Sequence, residues 1–362
     1  MKIKTITCHD VYNLGASLQA YALAVYLKDC GHDVQIIDYK PAYLSRHYSL
    51  SWVANPRFDQ PLVRQAYLLA KLPGRLKARK SLRKQRFDDF RRELLPLTHR
   101  RYESVEELRE RCPEADLYIA GSDQIWNPVF PNGKDPAFFL EFVPGEKRKI
   151  SYAASFSVDE LADEDRKQMR PWLGRLDAIS VREISGVKLL TRMGLQGVQV
   201  MDPVFLLDKA HWETIAIRPD TDGYILVYDF DGADRIREMA RRLAERTGKK
   251  IVSVFPMEGA SEVWFDMGPR EFLGAILNAD CVLSNSFHAT AFSLIFHKEF
   301  YVVNREEKIN TRMRDLLEGV SLGERLISCV PERLSGPDWE TVQGSLEEMI
   351  ARSKLYLEEN MI

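Results

Sequence analysis

The residues best equipped for chemistry sit just after short apolar runs. The sharpest is His288, within Ser284-Asn285-Ser286-Phe287-His288-Ala289-Thr290, where Cys281-Val282-Leu283 reads as a buried strand and residues 288–297 as an apolar helix. The N–H groups that open such a helix can hold a phosphate, with Asn285 and Ser286 adding polar atoms. A histidine there is a candidate proton donor near neutral pH. Arg182 follows the apolar run Ala178–Val181. Its guanidinium could clamp a carboxylate or phosphate bidentately, or pair with a local carboxylate such as Glu183 and only order the turn.

Gly121-Ser122-Asp123-Gln124-Ile125-Trp126-Asn127-Pro128 is denser in polar groups. Asp123 and Gln124 can exchange hydrogen bonds with sugar hydroxyls, and the Trp126 indole can stack on a sugar ring. The same residues also suit a turn in which Asp123 caps a helix and Trp126 fills the core. In the loop His9 to Gly15, Asn13 can cap a helix or contact a ligand, and Gly15 permits close backbone approach. Ser155-Phe156-Ser157 ends a fifth run of this kind. There is no Gly-x-Gly-x-x-Gly, Walker A, Gly-x-Ser-x-Gly or His-Glu-x-x-His pattern, and neither a metal nor another cofactor is expected.

The elements that position these loops are α/β. Residues 2–8 read as a strand, Leu18, Tyr21, Ala22, Val25 and Tyr26 recur at helical spacing, Gly31 marks a helix end, and residues 34–39 resume as a strand. That is a right-handed parallel crossover. Residues 40–110 break the rhythm and are read as a basic helical insertion, with eleven Lys/Arg against three acids between Arg75 and Arg101. The rhythm returns through 117–120, 149–154, 178–181 and 198–201, and residues 204–207 are read as an extended linker. Strands at 224–228, 251–255, 281–283 and 300–303 alternate with helices at 233–247, 271–278 and 288–297. A charged helix over 345–359 is long enough to pack back on the first domain. The fold expected is α/β, two Rossmann-like domains (1–207 and 208–362) facing a central cleft, where ligands sit beyond the carboxyl ends of the strands.

Composition excludes several classes. The 362 residues are 45% hydrophobic and 29% charged with a net charge of −2, which fits an ordinary globular protein and gives no footprint for nucleic acid. Five scattered cysteines, none spaced Cys-x-x-Cys, fit a reducing compartment rather than a disulfide scaffold. The start Met1-Lys2-Ile3-Lys4 is strand-like rather than a signal peptide, so a cytoplasmic protein is expected. The basic stretch 75–101 reads either as a solvated helical face or as peripheral contact with an anionic membrane.

Taken in order, the strand-end motifs resemble the polysaccharide pyruvyl transferase family across nearly the whole chain. They run from Asn13-Leu14-Gly15-Ala16-Ser17-Leu18-Gln19-Ala20-Tyr21-Ala22-Leu23 through Ala120–Asn127, Ser151–Ser155, Ser180–Glu183, Asp202-Pro203 and Ser286–Thr290 to Asn310-Thr311-Arg312. The resemblance implies a GT-B-like fold. It also implies transfer of pyruvate from phosphoenolpyruvate to two hydroxyls of a sugar in a surface or capsular glycan precursor, giving a cyclic ketal. The acceptor would be a sugar or a lipid-linked oligosaccharide. On that likeness His288 is the general acid and Asp123 a candidate base. Arg182, Asn285, Ser286, Asn310 and Arg312 hold the donor, and Asn13, Gly15, Gln19, Ser122, Asp123, Gln124, Trp126, Asn127 and Ser155 the acceptor. Two positions depart from relatives. Ser286 stands where some carry the arginine of an Arg-Leu-His triplet, and Leu14 stands where an aromatic is common. The alternatives are a GT-B glycosyltransferase using a nucleotide sugar and a non-catalytic saccharide-binding protein.

Overall fold

A computed structural model describes residues 1–44, 48–53, 59–232, 234–303, 311–329 and 336–361. Two parallel sheets carry it. The first has five strands in the order β3-β2-β1-β4-β5, formed by β1 (Lys2–Ile6), β2 (Asp33–Tyr39), β3 (Leu97–Tyr102), β4 (Leu117–Ala120) and β5 (Arg148–Ser151). A short pair, β6 (Ser180–Val181) with β7 (Val198–Gln199), continues beside β5 through the bridges Ile150↔Ala178 and Ala154↔Val181. The second sheet has six strands in the order β10-β9-β8-β11-β12-β13, formed by β8 (Tyr224–Tyr228), β9 (Lys250–Ser253), β10 (Glu262–Val263), β11 (Cys281–Ser284), β12 (Glu299–Val303) and β13 (Leu326–Ile327). The central strands β4, β8 and β11 are buried throughout, as expected of parallel strands covered on both faces. The two Rossmann-like sheets of the expected fold class are thus present.

Each sheet has one place where the strand order reverses. In the first sheet it lies between β1 and β4, and in the second between β8 and β11. Ligand crevices form outside the carboxyl ends of the strands at such switch points. The register fixes those ends at one level: Ile6 pairs with Ala120, and Ser284 with Tyr228.

The helix α1 (Leu14–Asp29) is buried on nearly every side, which explains why its sequence lacks a polar face. Asn13 caps it by accepting from the Ala16 N–H at 3.1 Å, and Gly31 leaves it at φ +86°, a conformation glycine adopts without strain. One apolar core joins α1 to Trp212, Phe272 and Phe292, so it is shared by both sheets.

Three expectations need correction. Residues 40–110 are not wholly helical, because Leu97–Tyr102 forms the edge strand β3 against β2. Its charged residues hid it: Arg101 pairs with Asp38 at 3.0 Å and with Asp10 at 3.5 Å, and such charges protect a sheet edge. Residues 203–206 form a buried 3-10 turn rather than an extended linker, with the Trp212 indole N–H donating to the Val204 carbonyl at 3.0 Å. The basic stretch is not uniformly solvated either. Within it lie the end of α2 (Pro61–Arg79) and all of α3 (Leu82–Leu94). On α3, Arg83 is buried and donates to the carbonyls of Phe265 and Met267 at 3.0 and 3.2 Å, while Arg86 pairs with Glu271 at 3.0 Å. These arginines bind the second sheet's periphery.

The last helix, Trp339–Asn360, contacts the end of β5 and the segment after β7. The Tyr356 hydroxyl donates to the Ser151 carbonyl at 2.9 Å, and the Ser353 hydroxyl accepts from the Met201 N–H at 2.8 Å. No helix among the described residues is long and apolar enough to cross a membrane.

Candidate functional site

The loops leaving the two switch points meet at a cavity of about 290 Å³. The first sheet contributes Asn13 from the loop after β1 and Asp123 and Gln124 from the loop after β4. The second contributes Phe230 after β8 and Asn285, Ser286, Phe287 and His288 after β11. Arg312 and Met313, from the helix Thr311–Gly319, complete the lining. Backbone strain marks the place, since Asp123 stands at φ +75° and Tyr12 at φ +53°.

His288 opens the helix Phe287–Ile295, whose first turn Ser286 caps by accepting from the Ala289 N–H at 3.4 Å. Its ring lies edge-on to Phe287 and packs so tightly against Gly15 that a β-carbon there would stand 1.9 Å from Nδ1. On the other side Nε2 stands 3.6 Å from Asp202 Oδ2, an ion-pair contact just beyond hydrogen-bond reach, and it has no hydrogen-bond partner.

Asp202 is the centre of the buried network behind the cavity. Its Oδ2 lies 3.1 Å from Arg182 Nη2 and accepts from Ser122 Oγ at 3.3 Å, while Oδ1 accepts from the Val204 N–H at 3.0 Å. Burial alone would push this carboxyl up, but Arg182, His288 and the Val204 N–H outweigh it and hold it well below the usual range. Arg182 Nη2 also donates to Ser122 Oγ at 2.7 Å, whereas its Nε and Nη1 have no partner. The Arg182 and Arg312 guanidiniums both lie against the Phe287 ring, at 4.9 and 5.6 Å from its centroid. Burial and then the like charge of Arg182 push Arg312 down to about 10, and its Nε is buried without a partner. These two cations are answered by Asp202 and by Asp123, whose Oδ1 lies 4.0 Å from Arg182 Nη2, yet three of their guanidinium nitrogens are buried without a hydrogen-bond partner.

Glu183 is a further carboxyl close to Arg312. Burial pushes its carboxyl above the usual value, although Oε1 accepts from the Ser155 hydroxyl and from the Phe156 and Ser157 N–H groups at 2.9–3.0 Å. Its Oε2 has no partner.

Of the residues singled out from sequence, Asn13, Asp123, Gln124, Asn285, Ser286, His288 and Arg312 line the cavity, and Gly15 packs on His288. Arg182 and Ser122 stand one layer behind, and Arg182 pairs with Asp202 rather than Glu183. Four acceptor assignments do not fit. Trp126 is fully buried, stacked on Phe139 with its N–H donating to the Phe138 carbonyl at 3.0 Å, so no sugar reaches its face. Asn127 is spent on the turn, donating to Gln124 Oε1 at 2.7 Å and accepting from the Val129 N–H at 3.0 Å. Gln19 is buried inside α1, donating to Thr7 and to the Ala16 carbonyl, and Ser155 is buried on Glu183. Asn310 lies outside the described residues.

Reasoning from sequence gave no role to Asp202, Phe230, Phe287 or Met313. For Asp202 a signal existed, since Asp-Pro follows the apolar run 198–201 as Arg182 follows 178–181. Among the described residues no group of three or more His, Cys, Asp or Glu could hold a metal ion.

Comparison with solved structures gives distant likenesses to two-domain sugar-nucleotide enzymes. The UDP-GlcNAc 2-epimerase from Neisseria meningitidis bound to UDP-GlcNAc is 11% identical at a TM-score of 0.46, over 100% of this chain and 94% of that one. The E. coli heptosyltransferase WaaC with ADP-2-deoxy-2-fluoro heptose is 13% identical at a TM-score of 0.41, over 96% and 99%. No curated protein matches the sequence. The family model for polysaccharide pyruvyl transferase matches residues 13–307, a span that holds every cavity-lining residue except Arg312 and Met313. The chain belongs to the polysaccharide pyruvyl transferase family.

Proposed function

We propose that this protein transfers the pyruvyl skeleton of phosphoenolpyruvate to two hydroxyls of a sugar in a surface or capsular glycan precursor, forming a cyclic ketal. The observation that carries this reading is the pair of guanidiniums on Phe287, Arg312 at the cavity and Arg182 behind it, with unpaired buried N–H groups. A small anionic donor supplies acceptors for these N–H groups, and the cavity of about 290 Å³ has room for a three-carbon acid. His288 protonates the donor's methylene carbon, leaving C2 oxocarbenium-like. One sugar hydroxyl attacks C2, losing its proton to Asp123. Phosphate departs with the proton from Asp123, and the second hydroxyl closes the ring at C2, giving its proton to the now neutral His288. Asp202, 3.6 Å from Nε2, keeps the His288 ring oriented for the first step. Residues 1–207 then carry the acceptor side together with Arg182, and residues 208–362 the rest of the donor side, in a cytoplasmic enzyme whose acceptor is a sugar or a lipid-linked oligosaccharide.

A thermal-shift titration tests the donor. Phosphoenolpyruvate at 100 times its Kd should stabilise the fold by about 2.7 kcal/mol, and Arg312→Ala should abolish the shift. Stabilisation by UDP, GDP or CMP but not by phosphoenolpyruvate would overturn this reading in favour of glycosyl transfer.

A further inference from the structure

Helix α2 is built differently from every element around the cavity. None of its described side chains is buried, although it spans 19 residues. At about 100° per residue, Val63, Ala66, Leu69, Ala70, Pro73 and Leu76 share an arc of about 140°, and all six are exposed, Leu69 at 69%. The opposite side, through Tyr67, Leu72, Arg75 and Ala78, is the half-buried one. Arg75 ties it down by donating to the carbonyls of Leu50 and Trp52. Leu68 joins Tyr67, Leu72 and Ala78 on that half-buried side, so the helix packs one apolar face and leaves a second turned outward, which a helix serving only its own core does not do.

Charge decides what covers that face. Helix α2 carries five cations (Arg64, Lys71, Arg75, Lys77 and Arg79) and no acid. Lys77 lies within the apolar arc, with Arg79 about 60° beyond one edge and Lys71 about 80° beyond the other, positions from which long stems reach sideways past a buried stripe. Arg64 is on the opposite side, paired with Asp59 and donating to the Ser51 carbonyl. A second copy of the chain would set these cations against their own kind. An anionic lipid surface complements them, and an apolar stripe flanked by cations is the pattern of a helix lying in the headgroup boundary.

We propose that α2 docks this protein onto anionic membrane, with Leu69 and Leu76 entering the headgroup boundary and Lys71, Lys77 and Arg79 meeting lipid phosphates. The membrane-facing element is then residues 61–79 and not the following basic helix, whose Arg83 and Arg86 are engaged within the protein. Nothing in this inference depends on the reaction in the cavity, and either can fail without the other.

Sedimentation of the full-length protein with vesicles tests it, comparing equal parts phosphatidylglycerol and phosphatidylcholine with phosphatidylcholine alone. Binding is expected only to the anionic vesicles, falling at least tenfold between 0.1 M and 1 M salt as screening shortens from about 10 Å to about 3 Å. Leu69→Asp/Leu76→Asp and Lys71→Glu/Lys77→Glu/Arg79→Glu should each reduce it at least tenfold. These side chains are exposed, so melting temperatures should not move. Equal binding to both vesicle types, or retention by either variant, overturns the proposal. So does failure to bind the anionic vesicles, and a dimer seen by light scattering that Leu69→Asp dissolves would then show a second copy covering the face.

Discussion

Gly15 offers the sharpest test of how the two sheets share one site. It sits in the first turn of α1, where replacing glycine with alanine ordinarily gains up to about 1 kcal/mol of helix stability. Here the new β-carbon would stand 1.9 Å from His288 Nδ1 and 2.2 Å from Cγ, whereas ordinary contact begins at 3.4 Å. The imidazole must retreat by about 1.5 Å, the difference between 3.4 and 1.9 Å. Overpacking of that kind costs about 1–3 kcal/mol, so Gly15→Ala should lose up to about 2 kcal/mol after the helical gain. A displaced ring no longer stands 3.6 Å from Asp202. An error of about 1 Å in a catalytic group can cost about 100-fold, so phosphoenolpyruvate-dependent turnover should fall by that order. Thermal unfolding and turnover of Gly15→Ala, His288→Ala and the double variant measure both effects. In the His288→Ala background the added methyl occupies the space of the ring, and the stability loss should vanish, a coupling of about 1–3 kcal/mol. The same loss in both backgrounds, or a single variant with wild-type turnover, would refute this account of the contact.

Two further perturbations address the charges behind the cavity. Asp202→Asn keeps the acceptor for the Val204 N–H but strands the Arg182 guanidinium, and removing one partner of a buried ion pair costs about 3–5 kcal/mol. Because the Asp202 carboxyl is held below its ordinary value, its contribution is present above pH 3.8 and lost as pH falls through its folded value. Unfolding midpoints of wild type and variant should therefore converge in acid, and a gap constant from pH 7 to pH 2 would contradict the assignment. Glu183 has the opposite sign. Burial raises its carboxyl above 4.5, so ionising it costs stability as pH rises through that value. Glu183→Gln keeps Oε1 as acceptor for its three donors, and it should match wild type near pH 4 and melt higher at pH 7, whereas Glu183→Ala should melt lower at both. A Gln variant less stable than wild type at pH 7 would show that the carboxylate is needed as an anion beside Arg312.

Much of this fold is legible in the sequence because parallel strands buried on both faces leave plain apolar runs. Tyr224–Tyr228, Cys281–Ser284 and Leu117–Ala120 are of this kind, and the polar residues after them announce the loops of the cavity. What escapes is whatever depends on partners far along the chain. Edge strand β3 reads as part of a basic helix because its Arg101 answers Asp10 and Asp38. Trp126 and Asn127 share the loop of Asp123, but the turn at Asp123 sends them inward, onto Phe139 and Gln124. Asp202 is visible only as the residue before a proline until the fold brings it beside Arg182 and His288.

The contacts of the basic helix α3 and the last helix bear on how a substrate enters. Arg83 and Arg86 brace one side of the cleft against residues 265–271. On another side the last helix holds Ser151 and Met201, while its Gln343 meets His297 at 3.0 Å. Two struts anchored at both ends leave little freedom for the halves to hinge like a clamshell. On the proposed reaction, the overall dimensions of the particle in solution are therefore expected to be the same with and without phosphoenolpyruvate, which small-angle scattering would check.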